Sequence, residues 1–119
     1  MFEYQAYCTR VVDGDTIEVT LDLGFDLQYN AVLRIKHVDT FETYGVPTDT
    51  DRYELGVEQT EFVEDWIPER TDDEPWPLVV RTKEKGGFGR WLAEVKRKDE
   101  GDLLHEVLLE NYDGIEYSE

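Results

Sequence analysis

The stretch "VVDGDTIEV", residues 11–19, sets two carboxylates around a glycine inside an otherwise apolar, strand-like run. Asp-Gly between alternating apolar runs is a strong hairpin signal, because Gly tolerates the positive φ that a tight turn requires. On that reading Asp13 and Asp15 are turn residues and nothing more. On a second reading they are half of a metal site. The stretch alone leaves both open. The next residues read as a strand: "TIEVTLDL" (16–23) puts Ile17, Val19, Leu21 and Leu23 on one face and Thr16, Glu18, Thr20 and Asp22 on the other. Upstream, "FEYQAYCTRVV" is rich in β-formers. Downstream, Gly24 supplies a turn and "LQYNAVLRIKHV" (27–38) resumes alternation through Leu27, Tyr29, Ala31, Leu33 and Ile35. Together these predict a three-stranded meander.

Beyond the meander, "TYGVPTDTD" has turn residues and no apolar period, and reads as a loop. From about Tyr53 the period becomes helical, with Leu55, Phe62, Val63, Trp66 and Ile67 on one face, Thr50 or Asp51 as cap and Pro68 as stop. A second loop, "PERTDDEPWP", leads to two strands, "PLVVRTKE" and "RWLAEVKR", joined by "KGGFG". A last helix, "DLLHEVLLENY", buries Leu104, Val107 and Leu108 and takes Asp102 as its cap. Three strands, a helix, two strands and a helix is the element order of an OB-fold barrel, and the order alone also suits other small α+β folds. The expectation is one α+β, mainly β domain over residues 1–119: a five-stranded barrel with a helix between strands 3 and 4 and a C-terminal helix.

The single cysteine, Cys8, excludes an intrachain disulfide framework and a Cys-rich zinc site, and reads as a small half-buried hydrophobe. "MFEYQAYCTR" lacks a basic region followed by an apolar core, and no run approaches transmembrane length. A soluble, cytoplasmic protein is expected, or a secreted one had a leader preceded it. Charge is the oddest global property: 29 acidic residues stand against 12 basic, for a net charge of −17. Three explanations compete: mimicry or avoidance of nucleic acid, a basic partner, or work in concentrated salt. At about 1 M salt the Debye length falls to about 3 Å, so scattered carboxylates barely repel one another. The acids are dispersed along the chain and lysines number only five, a pattern that looks halophilic.

Chemistry-bearing residues gather at strand ends. Asp13 and Asp15 flank the first turn; Asp39, Thr40 and Glu42 close the third strand in "VDTFE"; Arg34 lies five residues before Asp39; Arg90 follows the glycine-rich turn. Carboxylates from two strand ends with a nearby carbonyl suit a hard cation such as Ca²⁺. Two arginines can fork onto phosphate oxygens, and a spare carboxylate, Glu42, can take a proton from water. Jointly these are parts for metal-assisted phosphodiester hydrolysis. Singly, each arginine is an ordinary strand-face cation.

In order, "VVDGDTIEV", "LRIKHVDTFET", "GVEQTEF" and "GGFGRWLAEV" resemble the staphylococcal nuclease (thermonuclease, SNase-like) family over nearly the whole chain. The most specific parts are D-G-D-T and R-x-x-x-x-D-T-x-E. The resemblance implies an OB barrel with appended helices and Ca²⁺-dependent endonuclease activity on DNA and RNA at the 5′ P–O bond. It further implies that Asp15, Asp39 and the Thr40 carbonyl bind Ca²⁺, with Asp13 behind them. Glu42 would position or activate water, and Arg34 and Arg90 would bind the scissile phosphate. The substrate implied is single-stranded or fraying DNA, or RNA, taken by a monomer with no membrane partner.

Several positions depart from the family. Phe41 replaces the usual Pro after Asp-Thr, and Gly87-Phe88-Gly89 replaces Lys-Tyr-Gly before Arg90. Lys83 or Lys85, Phe88, Tyr112 and Tyr117 are then the weaker candidates for substrate contact. His105 occupies a position where the family tends to have Asn, and reads as a core hydrogen-bonder; His37 reads as a strand-face residue. A non-catalytic SNase-like module binding nucleic acid or protein is the alternative, and an acidic nucleic-acid mimic a third.

Overall fold

The structure is a computed structural model that describes residues 2–43, 45–85, 89–99 and 101–117, with backbone only at 83–85. Its elements run β1 (Phe2–Asp13), β2 (Thr16–Gly24), β3 (Leu27–Ile35), α1 (Asp51–Trp66), β4 (Leu78–Lys85), β5 (Trp91–Arg97) and α2 (Leu104–Asn111). The long first strand is shared. Its first residues, Phe2 to Ala6, pair with β4, while the stretch from Gln5 onward pairs with β2. Irregularities after Cys8 and Val11 bend it between the two partners, as bulges do at barrel corners. The sheet closes in the order β1-β2-β3-β5-β4, antiparallel throughout except for β3 beside β5. A closed five-stranded barrel with α1 between β3 and β4 is an OB-fold-like architecture.

The barrel is filled by the inward residues that alternation selects. Ile17, Val19, Leu33, Ile35, Leu78, Val80, Ala93 and Val95 have no more than 1% of their surface exposed. Leu104 and Leu108 of α2 and Val63 and Trp66 of α1 extend this core. Thr50 caps α1 by accepting a hydrogen bond from the Tyr53 amide, and the helix ends before Pro68. No helix among the described residues is long and apolar enough to cross a membrane.

Four details differ from the sequence expectation, each for a local reason. The third strand stops at Ile35, because the chain turns through His37 in a left-handed conformation (φ 74°) and residues 37–39 then pair with the C-terminal segment. The hairpin after β2 turns on Phe25 and Asp26 (φ 56° and 60°), one residue beyond Gly24, whose own positive φ accompanies a bulge. Leu23, Leu27 and Tyr29 keep their alternation but are exposed, since this hairpin projects past the barrel. Asp102 does not cap α2. Its carboxylate pairs with Arg97 at 3.3 Å, and Leu103 begins the helix with no side-chain cap. Cys8 is half-buried as expected, and burial pushes its thiol up to about 11, so it is not a reactive thiolate.

Candidate active site

The β1–β2 turn is built around contact, not around φ. Gly14 is not among the glycines with positive φ. A Cβ there would lie 2.8 Å from both Cγ2 and Oγ1 of Thr40. Glycine at this position therefore lets the turn close onto the segment after β3. That corrects the reason for the Asp-Gly signal while keeping the hairpin.

The close approach makes Asp15 a hub. Its carboxylate is buried, and Oδ2 accepts the Thr40 amide at 2.9 Å while lying 3.5 Å from Arg34 Nη1. Oδ1 accepts from the Thr16 hydroxyl at 3.0 Å, and Thr16 Oγ1 in turn accepts from Arg90 Nη1 at 3.4 Å. Arg34 continues the chain to Asp39, whose Oδ1 is 3.3 Å from Nη2. One network thus joins Asp15, Thr16, Arg34, Asp39, Thr40 and Arg90, drawn from two hairpins and a loop. Charge-assisted hydrogen bonds of this kind contribute about 1.5–3 kcal/mol each when buried.

Arg34 is held before any ligand arrives. Its Nη1 donates to the carbonyls of Ile35 and Val38 at 2.8 and 2.6 Å, using the turn that ends β3. The C-terminal segment secures that turn through Asp39 N to Ile115 O and Tyr117 N to His37 O, at 2.8 and 2.9 Å. It also brings the Tyr117 ring to 5.6 Å from the Arg34 guanidinium carbon.

The segment carrying Asp39, Thr40 and Glu42 rests on α1. Gly56 leaves room for it: a Cβ there would be 3.0 Å from the Phe41 carbonyl and 3.2 Å from that of Glu42. Gln59, fully buried, accepts the Phe41 amide at 2.9 Å. Glu42 itself is exposed beside this clamp. Of the weaker candidates, Tyr117 lies at the network. Tyr112 packs edge-on against Phe62 and donates to Glu58, contacts belonging to α1. Phe88 and the side chains of Lys83 and Lys85 lie outside the described residues.

The donors that the sequence offered to a cation are all oxygens, the carboxylates of Asp13, Asp15 and Asp39 and the carbonyl of Thr40, and the three carboxylates do not all come within 4.8 Å of one another. Asp13 accepts the Asp15 amide at 3.3 Å. Its carboxyl is pushed up to about 7 by burial, then by its hydrogen bond to Asp15 and by that residue's negative charge. Asp13 and Asp15 thus crowd one another, which disfavours two negative charges side by side. Thr16, Gly56 and Gln59 were not among the candidate site residues, although they lie in the strings D-G-D-T and "GVEQTEF" that carry the family resemblance.

Compared with protein-family models and with curated proteins, the chain matches none.

Proposed function

We propose that this protein is a calcium-dependent nuclease that hydrolyses phosphodiester bonds of DNA or RNA at the 5′ P–O position. One observation carries the reading. A single buried carboxylate, Asp15, ties together two arginines and a second carboxylate on an OB-fold-like barrel. Asp15, Asp39 and the Thr40 carbonyl would hold the ion, which would supply Lewis-acid polarisation of a phosphoryl oxygen and of the leaving 5′ oxygen.

The chain's own residues do the remainder. Arg34 and Arg90 bind the phosphate oxygens and offset the charge that develops on them. The two carbonyls on Arg34 mean that little of its freedom is left to lose on binding. Asp39 is on the exposed side of Arg34, so a phosphate can take over the Nη2 contact from it. Glu42 accepts the proton of the attacking water, and Tyr117 offers a ring for a base to stack on. Unpaired strands fit best, because only splayed bases reach such a ring.

With a net charge of −17, affinity depends on few phosphate contacts, so the salt dependence of KM is shallow. The dispersed acids support adaptation to high salt. The test is cleavage of a fluorescent single-stranded DNA with Ca²⁺ or EDTA at about 0.1 M and about 2 M KCl, with Glu42→Gln as control. Its exposed position spares the fold. Calcium-dependent cleavage that falls about a hundredfold or more in the variant supports the nuclease. A folded, inactive wild type that still binds the oligonucleotide leaves the non-catalytic module in its place.

A further inference from the structure

A second cluster lies where β5, α2 and the turn after β3 meet. One ring nitrogen from each of His37 and His105 and one Glu94 oxygen all lie within 4.8 Å of one another. His37 Nε2 is 3.2 Å from Glu94 Oε2, and the two imidazoles lie with centroids 4.7 Å apart and planes tilted by 51°. Neither histidine belongs to the network around Asp15.

Two observations make this more than proximity. His105 is only 8% exposed, yet its Nδ1 has no hydrogen-bond partner. A buried imidazole nitrogen without a partner is costly and calls for a ligand. His37, meanwhile, has a left-handed backbone conformation (φ 74°), its carbonyl accepts from the Tyr117 amide, and its ring lies against that of His105. Strain of this sort persists where the surrounding structure imposes it and often marks a site.

We propose that His37, Glu94 and His105 form a binding site for a divalent first-row transition metal, Zn²⁺ foremost. Two imidazoles and a carboxylate are a borderline donor set that zinc accepts, with a fourth position left for water. Tetrahedral bonds of about 2.0–2.1 Å place donors about 3.3 Å apart, so modest side-chain rotation closes the observed spacing. Glu94 presents its other oxygen to Arg81 at 3.8 Å, which fixes the carboxylate from behind. His37 is 45% exposed on its side chain, giving an ion a way in. The bound ion would pin the β3 turn to β5 and α2.

The test titrates the full, chelator-treated chain with ZnCl₂ alone, in excess Ca²⁺ to occupy oxygen-only sites. Zinc is expected to bind once per chain by calorimetry, to raise Tm by several degrees, and to shift the ring resonances of both histidines. The chain has only two histidines, so the assignment is direct. His37→Asn keeps a residue tolerant of the left-handed backbone, and Glu94→Gln keeps shape. Each should weaken zinc binding about tenfold or more. Asp39→Asn, exposed and in the other network, should leave zinc binding unchanged. Absence of binding, displacement by Ca²⁺, zinc that leaves either imidazole unmoved, or affinity that survives both substitutions overturns the proposal. The resonance readout needs no variant, so it decides the matter even where a variant fails to fold.

Discussion

The two ends of the β2–β3 hairpin are made of the same alternating sequence and have opposite fates. At the Thr16–Arg34 end, polar side chains are buried and joined in one hydrogen-bonded network. At the Asp22–Gln28 end, apolar side chains are exposed: Leu23, Leu27 and Tyr29 all stand in solvent, and Phe25 is 98% exposed. Alternation therefore tells which face a residue takes, not whether anything covers that face. Cover comes from elsewhere. The polar end is roofed by residues 37–42, α1 and the C-terminal segment, while the apolar end extends past the last residues of its neighbours.

Asp15→Ala should break the contrast most severely. It strands the Thr40 amide, the Thr16 hydroxyl and the buried Arg34 together, with partial relief from the lost repulsion on Asp13. The expected loss is about 3 kcal/mol in urea unfolding, and cleavage activity should disappear with it. Gly14→Ala is next. The added methyl must displace Thr40, costing about 1–3 kcal/mol and lowering activity even in the folded fraction. An unchanged urea midpoint would mean that the turn does not rest on Thr40.

A pH effect follows from Asp13. Its folded pKa is raised, from an ordinary 3.8 to about 7, so the folded state holds the proton more tightly than the unfolded one. Metal-free protein should accordingly have the full contribution at acid pH and lose it as pH rises through about 7. Thermal melts in EDTA at about pH 5 and about pH 8 should show the loss, and Asp13→Asn should flatten it. Ca²⁺ should restore stability at the higher pH. The smallest change is at the opposite end: Phe25→Asn with Asp26→Gly suits the left-handed turn and should stabilise by about 0.5–1 kcal/mol, without altering cleavage. A loss of activity there would join the two ends functionally and undo the distinction.

Much of the barrel was legible because strand and helix periods are local properties. All five strands and both helices lie close to where alternation and the 3.6-residue period place them. Their ends were not, where a tertiary contact sets them: the turn at His37 depends on the C-terminal segment, and the start of α2 on a bridge between Lys96 and Leu103. The site divides in the same way. Asp15, Arg34, Asp39 and Arg90 announce themselves by residue type at strand ends. Gln59 and Gly56 act through contacts with residues 41–43; the string "GVEQTEF" holds both, but by type they are an ordinary polar residue and a helix-weakening one, with no role assigned. The pairing of His37 with His105 was equally hidden, since by pattern one belongs to a strand face and the other to a helix core.

The hydrogen bond between Arg90 and Thr16 spans 74 residues of chain. During synthesis, Asp15 and Thr16 emerge early, yet Arg90 reaches them only when β5 lies beside β3, and Tyr117 follows later still. The assembled site is thus a property of the finished barrel. On the proposed function, a growing chain would carry its carboxylates past the ribosome's own RNA before the arginine that completes the set has emerged.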